Sequence, residues 1–248
     1  MSFPNTVYGK PGWEKTETSD QRHKLGTRMA LADGRVYRYC KTGAGIATGR
    51  LVQAPATDAA DDMDLAWSAG GAAGATTVTT GTSLTITKDQ YKEGWLYTND
   101  ENGEGHIYPI KSNTAVSSAA GCVFTIDEED GFKVALTATS DLFGVVYNVY
   151  DGVIVQPTTI TNAAVGVTPA ALTSGYYGWL QTWGPAALLD YGATWVVGDQ
   201  LAAAESTNAG AATLLDSSSA QDNQSIGYSM YIKPASTDFG FAMLTIAP

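Results

Sequence analysis

The stretch GWLYTNDENGEGHIYPIK, residues 94–111, decides the fold class of this chain. Two segments rich in aromatic and β-branched residues, WLYT and HIYPI, flank a polar centre, Asn102-Gly103-Glu104-Gly105. Aromatic and β-branched residues favour extended strands, and Asn-Gly favours the tight turn that joins two of them. The stretch therefore predicts an antiparallel β-hairpin whose tip lies at residues 102–105.

Segments of the same kind recur along the chain, separated by roughly 8–12 residues. TRMALA and RVYRYCK flank Asp33-Gly34 and predict a second hairpin. Only 16% of the 248 residues are charged, which is unusual for a helical protein. We predict an all-β fold, an antiparallel β-sandwich or barrel-like body, which forms one body or two small lobes.

The chain divides into three segments by composition. Residues 1–26 combine turn-forming prolines and glycines with three aromatic residues, and predict an extended N-terminal arm that lies on its own domain or on a neighbour. Residues 27–75 predict a hairpin, a third strand and an Ala/Gly-rich connector, which is our predicted lobe boundary. Residues 76–248 predict the main β-rich body.

Charge is distributed unevenly along the chain. Residues 1–53 contain nine of the 14 basic side chains and four of the 25 acidic ones, although the net charge of the whole chain is −11. A basic segment on an acidic body predicts either docking to an acidic partner or internal pairing with the body. The acidic balance and the absence of a recognised nucleic-acid-binding signature disfavour nucleic acid as a partner.

No sequence motif predicts catalysis, a cofactor or a metal ion. His23 and His106 are the only histidines, and GxSxG, HExxH and CxxC motifs are absent. Solvated acidic loops explain both Asp100–Glu104 and the aspartates around Asp62, although the second group would also suit a divalent cation at a subunit contact. Cys40 and Cys122 predict free thiols. We also expect neither a membrane span nor a signal peptide.

A Tyr- and Trp-rich strand lies near the middle of the predicted body. On a regular strand, Tyr177, Trp179, Gln181 and Trp183 share one face. If exposed, such a row stacks sugars; if buried, it forms a core or a subunit interface. Both alternatives remain open from the sequence.

Three stretches together resemble a family of virion structural proteins from tailed phages, especially marine ones. The resemblance covers roughly half of the chain and lies in turn and packing motifs, so it points to a family rather than to a chemistry. The three stretches are LGTRMALADGRVYRYCKTGAGIATGRLVQ (25–53), ITKDQYKEGWLYTNDENGEGHIYPIKSNTA (86–115) and SGYYGWLQTWGPAALL (174–189).

The resemblance implies a decoration (cement) protein without catalysis, made in the bacterial cytoplasm and bound as a homotrimer to the major capsid protein on the virion surface. A head fibre, tail-tube or adaptor protein, or a carbohydrate-binding receptor module, are the alternatives. We expect deletion of residues 1–24 to leave the body folded and to weaken particle binding. The candidate capsid-contact residues are Phe3, Tyr8, Trp13, Arg22, Lys24 and Arg28. The candidate core or subunit-interface residues are Tyr177, Trp179 and Trp183.

Overall fold

A computed structural model describes residues 6–57, 62–68, 71–138, 140–204, 208–215, 224–234 and 237–248. Within these ranges the chain consists mainly of short strands. A single 3-10 turn spans Trp13–Lys15. The all-β prediction is confirmed. No described helix has the length and the apolar composition that a membrane crossing would require.

The described strands are numbered in chain order. The first four are β1 (Thr6–Tyr8), β2 (Arg28–Ala30), β3 (Val36–Lys41) and β4 (Leu51–Gln53). The next eight are β5 (Leu65–Ala66), β6 (Thr77–Thr79), β7 (Leu84–Ile86), β8 (Trp95–Asp100), β9 (Ile107–Asn113), β10 (Val116–Ala119), β11 (Val123–Ile126) and β12 (Leu142–Val146). The last seven are β13 (Ile154–Val155), β14 (Ala164–Val167), β15 (Tyr177–Leu189), β16 (Gln200–Ala203), β17 (Ala212–Leu214), β18 (Gly227–Ser229) and β19 (Phe239–Thr245).

The chain forms two compact units, which we call the split unit (residues 1–56 and 149–248) and the inserted unit (57–148). These boundaries differ from the three segments that composition predicts. The first boundary falls within the predicted Ala/Gly-rich connector. The second lies inside the predicted main body, where no change in composition marks the return of the chain to the split unit.

The inserted unit contains a six-stranded sheet in the order β5-β12-β8-β9-β11-β6 and a separate β7–β10 pair. β8 and β9 are antiparallel, which confirms the hairpin predicted from residues 94–111. Gly103 and Gly105 at its tip have φ angles of 75° and 80°, which glycine adopts without steric cost. Trp67 and Phe143 pack against each other in the core of this unit, with ring centroids 4.3 Å apart and ring planes tilted by 37°.

The split unit contains a larger sheet with the strand order β1-β2-β3-β15-β19-β18-β16-β17, and β4, β13 and β14 join it beside β15. β2 and β3 form the hairpin predicted at Asp33-Gly34, with Ala30 opposite Val36. β15, the longest described strand, pairs with β3 through its first half and with β19 through its second half. Besides the branch of β4, β13 and β14, the sheet therefore has two regions that meet at this strand.

Candidate functional site

The N-terminal segment, residues 6–27, folds back on the sheet of its own unit. β1 lies parallel to β2, and Gly9 N–H donates to the Ala30 carbonyl at 3.0 Å. Further along, Thr18 and Tyr177 exchange two backbone hydrogen bonds of 2.9 and 2.8 Å. The segment is thus joined to the sheet at both of its ends.

A side-chain contact adds to this attachment. The Glu17 carboxylate accepts hydrogen bonds from the Thr173 backbone N–H at 2.6 Å and from the Thr173 hydroxyl at 2.7 Å. Glu14 is buried, and its carboxylate accepts from Gly12 N–H at 2.6 Å and lies 3.8 Å from the Arg35 guanidinium. Glu14 therefore lies beside a base of the same basic segment, and Glu17 is held by the neutral Thr173. Neither contact is the predicted pairing of the basic segment with the acidic body.

Between this segment and the sheet lies an aromatic groove with a volume of about 270 Å³. The groove takes its floor from β3 and β15 and its walls from the N-terminal segment. Its lining residues are Val7, Trp13, Thr16, Thr18, Arg22, His23, Tyr39, Tyr177 and Trp179.

Tyr39 organises the aromatic packing in this groove. Its ring meets the Trp179 ring edge-on at 5.0 Å and stacks parallel to the Tyr177 ring at 6.0 Å. His23 contacts the same ring edge-on at 5.1 Å, and the Tyr39 hydroxyl accepts a hydrogen bond from Arg22 N–H at 3.0 Å. Tyr39 and Trp179 are 3% and 5% exposed, so their faces are occupied by neighbouring rings.

The charge of the groove lies at its rim. Burial lowers the pKa of His23 below its usual value, which keeps the imidazole neutral at pH 7. Arg22 is exposed, and the Lys41 ammonium lies 5.9 Å from the centroid of the Tyr177 ring. The groove therefore combines a neutral aromatic floor with cations at the edge, which suits stacking and contacts with anionic or hydroxyl-rich groups.

The predicted capsid-contact residues occupy different environments. Tyr8 is 82% exposed and Trp13 is 46% exposed, whereas Arg28 is half-buried on β2. Arg22 and Lys24 are exposed. Phe3 lies outside the described residues.

The sequence did not indicate Tyr39 or His23 as site residues, because only the tertiary fold brings β3 and the N-terminal segment to β15.

The predicted Tyr-Trp row is interrupted. Tyr177 pairs with Lys41 and Trp179 with Tyr39, but the register of β15 against β3 shifts between Gln181 and Trp183. Gln181 then lies opposite Tyr37 and Trp183 opposite Val36, and these adjacent residues of β3 point to opposite faces of the sheet. The prediction that all four residues share one face is wrong, because a bulge removes the strict alternation on which it relied.

Trp179 is buried in a cluster with Met29, Leu31, Tyr37 and Tyr39, and Tyr177 packs against that cluster half-buried. Trp183 is also half-buried. An exposed four-residue platform for sugars is therefore absent from this strand. The aromatic surface available to a ligand comes from Tyr177 and from Trp13 of the N-terminal segment.

Both cysteines and Asp62 lie in buried settings. Cys40 and Cys122 are both free and buried, and burial raises the pKa of Cys40 to about 12. Asp62 is buried and accepts a hydrogen bond from the Tyr91 hydroxyl, while Asp58 and Asp61 lie outside the described residues. In the described part of the chain, no group of three His, Cys, Asp or Glu side chains is placed to hold a metal ion.

The groove and the exposed side chains around it are thus held on the sheet by backbone hydrogen bonds. No protein-family model matches this chain, and no curated protein or solved structure matches it either. The geometry of the split unit is therefore the main basis for a functional proposal.

Proposed function

We propose that this chain is a non-catalytic structural protein of a tailed-phage virion, which binds the outer surface of the head and stabilises it. Its partners are the major capsid protein and further copies of itself, in a homotrimer. Two things support this proposal: the resemblance of three stretches to tailed-phage virion proteins, and a recognition surface on the N-terminal segment.

The observation that carries the proposal is an exposed aromatic and basic surface held on a fixed support. Tyr8 and Trp13 are 82% and 46% exposed, and large aromatic side chains are enriched where proteins bind other proteins. Because the N-terminal segment is hydrogen-bonded to β2 and β15, binding does not require this segment to become ordered. That lowers the entropic cost of association.

The charge around these aromatic residues favours an acidic partner. The N-terminal segment exposes four bases, Lys10, Lys15, Arg22 and Lys24, and two acids, Glu17 and Asp20, although the whole chain carries a net charge of −11. Opposite charges accelerate encounter and select orientation more than they add affinity. The basic surface would therefore face the capsid, and the acidic body would face solvent.

The direct test is electron cryo-microscopy of assembled virus particles that carry this chain. We expect density for many copies on the outside of the head at three-fold or quasi-three-fold positions. Copies confined to a fibre, to the tail tube or to the portal vertex would support the alternative virion roles and contradict the proposal.

A binding experiment tests the surface itself. Purified protein is mixed with heads that lack it and sedimented, and the Lys10→Glu/Lys15→Glu variant is compared with the wild type. We expect the charge reversal to weaken binding by at least about tenfold at low salt. The matched control is Lys88→Glu/Lys92→Glu, which makes the same charge change at exposed positions of the inserted unit.

One observation favours a second candidate function, the binding of carbohydrate. Trp13 and Tyr177 present aromatic surface in the groove beside Thr16 and Thr18, a combination that suits a single sugar ring. The test is a glycan array with the wild type and with Trp13→Ala. Binding that is lost in the variant would support this role, and an array without binding would remove it.

A further inference from the structure

The β15–β19–β18 region of the sheet has one face that is packed in the core and one that faces solvent. Ala186 pairs with Ala242, and both are buried in a cluster that includes Leu188, Leu244 and Trp195. The intervening residues of the same strands point the other way. We call this opposite side the outer face. Its residues are Leu189, Tyr228, Met230, Phe239, Phe241 and Met243.

The outer face is apolar and exposed. Phe239 is 50% exposed, Phe241 43%, Tyr228 43% and Met230 42%. Register brings them together, because Leu189 lies opposite Phe239, Tyr228 lies opposite Met243, and Met230 N–H donates to the Phe241 carbonyl at 3.2 Å. None of the six outer-face side chains is charged.

The apolar surface continues into two adjacent loops. Residues 195–198 run beside 229–233, held by the hydrogen bond from Gly198 N–H to the Ser229 carbonyl at 2.9 Å and by the pairing of Trp195 with Lys233. These loops carry Val196, Val197 and Ile232, which are 52%, 61% and 67% exposed. Exposed apolar side chains therefore also lie on the loops beside the end of β18.

Such a face is unusual for an antiparallel sheet. In a sheet with one face in the core, apolar and polar residues normally alternate along each strand, so that the other face is polar and exposed to solvent. Here both faces of three neighbouring strands are apolar, apart from the exposed Thr245 at the end of β19. Apolar patches larger than a few hundred Å² on a soluble protein mark binding sites.

We propose that the outer face packs against a second copy of this chain. An aromatic side chain offers roughly 200 Å², so the four residues of the outer face that are 42–50% exposed present roughly 350 Å² of apolar surface, and the three loop residues add somewhat less. A standard protein interface buries about 800 Å² on each partner, of which little more than half is apolar, so these residues supply the apolar area that such an interface needs.

Charge favours a second copy over the acidic partner proposed for the N-terminal segment. Copies with a net charge of −11 repel one another, and an uncharged apolar face allows them to approach without placing like charges together. Two such faces can stack about 10 Å apart, as the two sheets of a β-sandwich do. This contact closes a two-fold dimer and is separate from the homotrimer proposed above, so the mass of the associated species distinguishes the two. The inference depends on this sheet alone and does not require the capsid-binding role.

The test is the mass of the purified full chain, measured by sedimentation equilibrium over a wide range of concentrations. We expect the wild type to exceed the monomer mass of 26.0 kDa as its concentration rises. The Tyr228→Thr/Phe241→Thr variant keeps residues that favour strands and removes two aromatic contacts, so it should weaken self-association by about a hundredfold. A wild type that stays monomeric, or a folded variant that associates like the wild type, would overturn the proposal.

Trp95→Thr is the matched control, because it replaces an aromatic side chain that is 49% exposed on β8 of the inserted unit. It should associate like the wild type, and loss of association in this variant as well would count against the outer face. Hydrogen exchange of the wild type needs no substitution, so it remains decisive if the double variant does not fold. Residues 227–232 and 239–245 should exchange more slowly in concentrated than in dilute solution, and unchanged exchange would overturn the proposal.

Discussion

The two ends of β15 offer a comparison within one strand. At its beginning, Trp179 lies beneath the N-terminal segment and is 5% exposed. Near its end, Ala187 lies opposite Phe241, which remains 43% exposed. Both regions are apolar and aromatic, but only the first is covered by the chain's own N-terminal segment. Aromatic residues on a strand therefore indicate a surface suited to packing. They do not indicate whether the same chain or another molecule packs against it.

Deleting the N-terminal segment should expose the aromatic residues at the beginning of β15, as those near its end are exposed already. Deletion of residues 1–24 removes β1 and uncovers the cluster of Met29, Leu31, Tyr39 and Trp179. At about 1.5–3 kcal/mol for each large apolar side chain, the loss is roughly 6 kcal/mol, which is comparable to the stability of a typical domain. The structure therefore predicts that the split unit of the deletion variant unfolds or binds a hydrophobic dye. An unchanged urea midpoint would show that the segment is dispensable for folding, which is what the sequence alone predicts.

The stability of the second region, which the N-terminal segment does not cover, should instead depend on a buried ion pair on its inner side. Lys233 and Asp190 are 3% and 0% exposed, and the ammonium donates to the Asp190 carboxylate at 2.7 Å. Lys233→Met leaves a buried carboxylate without its cation and should cost about 3–5 kcal/mol. The double variant Asp190→Leu/Lys233→Met should recover most of this loss, measured by urea unfolding. Equal destabilisation in both variants would mean that the pair acts through packing alone.

A smaller effect is expected at the glycine beneath the outer face. A Cβ at Gly240 would lie 2.0 Å from Trp195 Cζ3, so Gly240→Ala forces the indole or β19 to move. Overpacking of this kind costs about 1–3 kcal/mol. Gly45→Ala is the control, because the nearest atom to its added Cβ is 3.9 Å away. Similar thermal midpoints for the two variants would show that the inner side is looser than its packing indicates.

The smallest effect concerns the covered region and pH. The pKa of His23 is lowered from 6.5 by burial, so the unfolded chain binds this proton more readily than the folded chain. The free energy of unfolding should therefore fall as the pH drops below about 6.5 and should level off below the folded-state pKa. In urea titrations, the free energy of unfolding of the His23→Gln variant should change less over this pH range. A variant with the same pH dependence as the wild type would show that other titratable groups cause that dependence.

Local features of the fold were predictable from the sequence, and long-range ones were not. Asp33-Gly34 and residues 102–105 identify their hairpins because a turn and its flanking strands are contiguous in sequence. The parallel pairing of β1 with β2 depends on residues about twenty positions apart. The bulge in β15 has no marker within the Tyr-Trp motif itself.

The candidate site shows the same division. Trp13, Tyr177 and Trp179 were selected for their residue type, and the fold places all three in the aromatic groove. Tyr39 and His23 complete the groove but belong to segments whose positions only the tertiary structure gives. The aromatic residues of the outer face carry no motif, and their exposure follows from the register of β18 and β19.

The point where the inserted unit leaves the split unit has a consequence for engineering. β4 and β13, which lie on either side of the insertion in sequence, are paired in the sheet with Gln53 opposite Ile154. The end of β4 and the start of β13 therefore lie about 5 Å apart, the Cα–Cα distance between paired residues of adjacent strands. A short turn, or a foreign domain whose termini lie close together, should graft at this position, so the split unit can serve as a scaffold for displaying cargo.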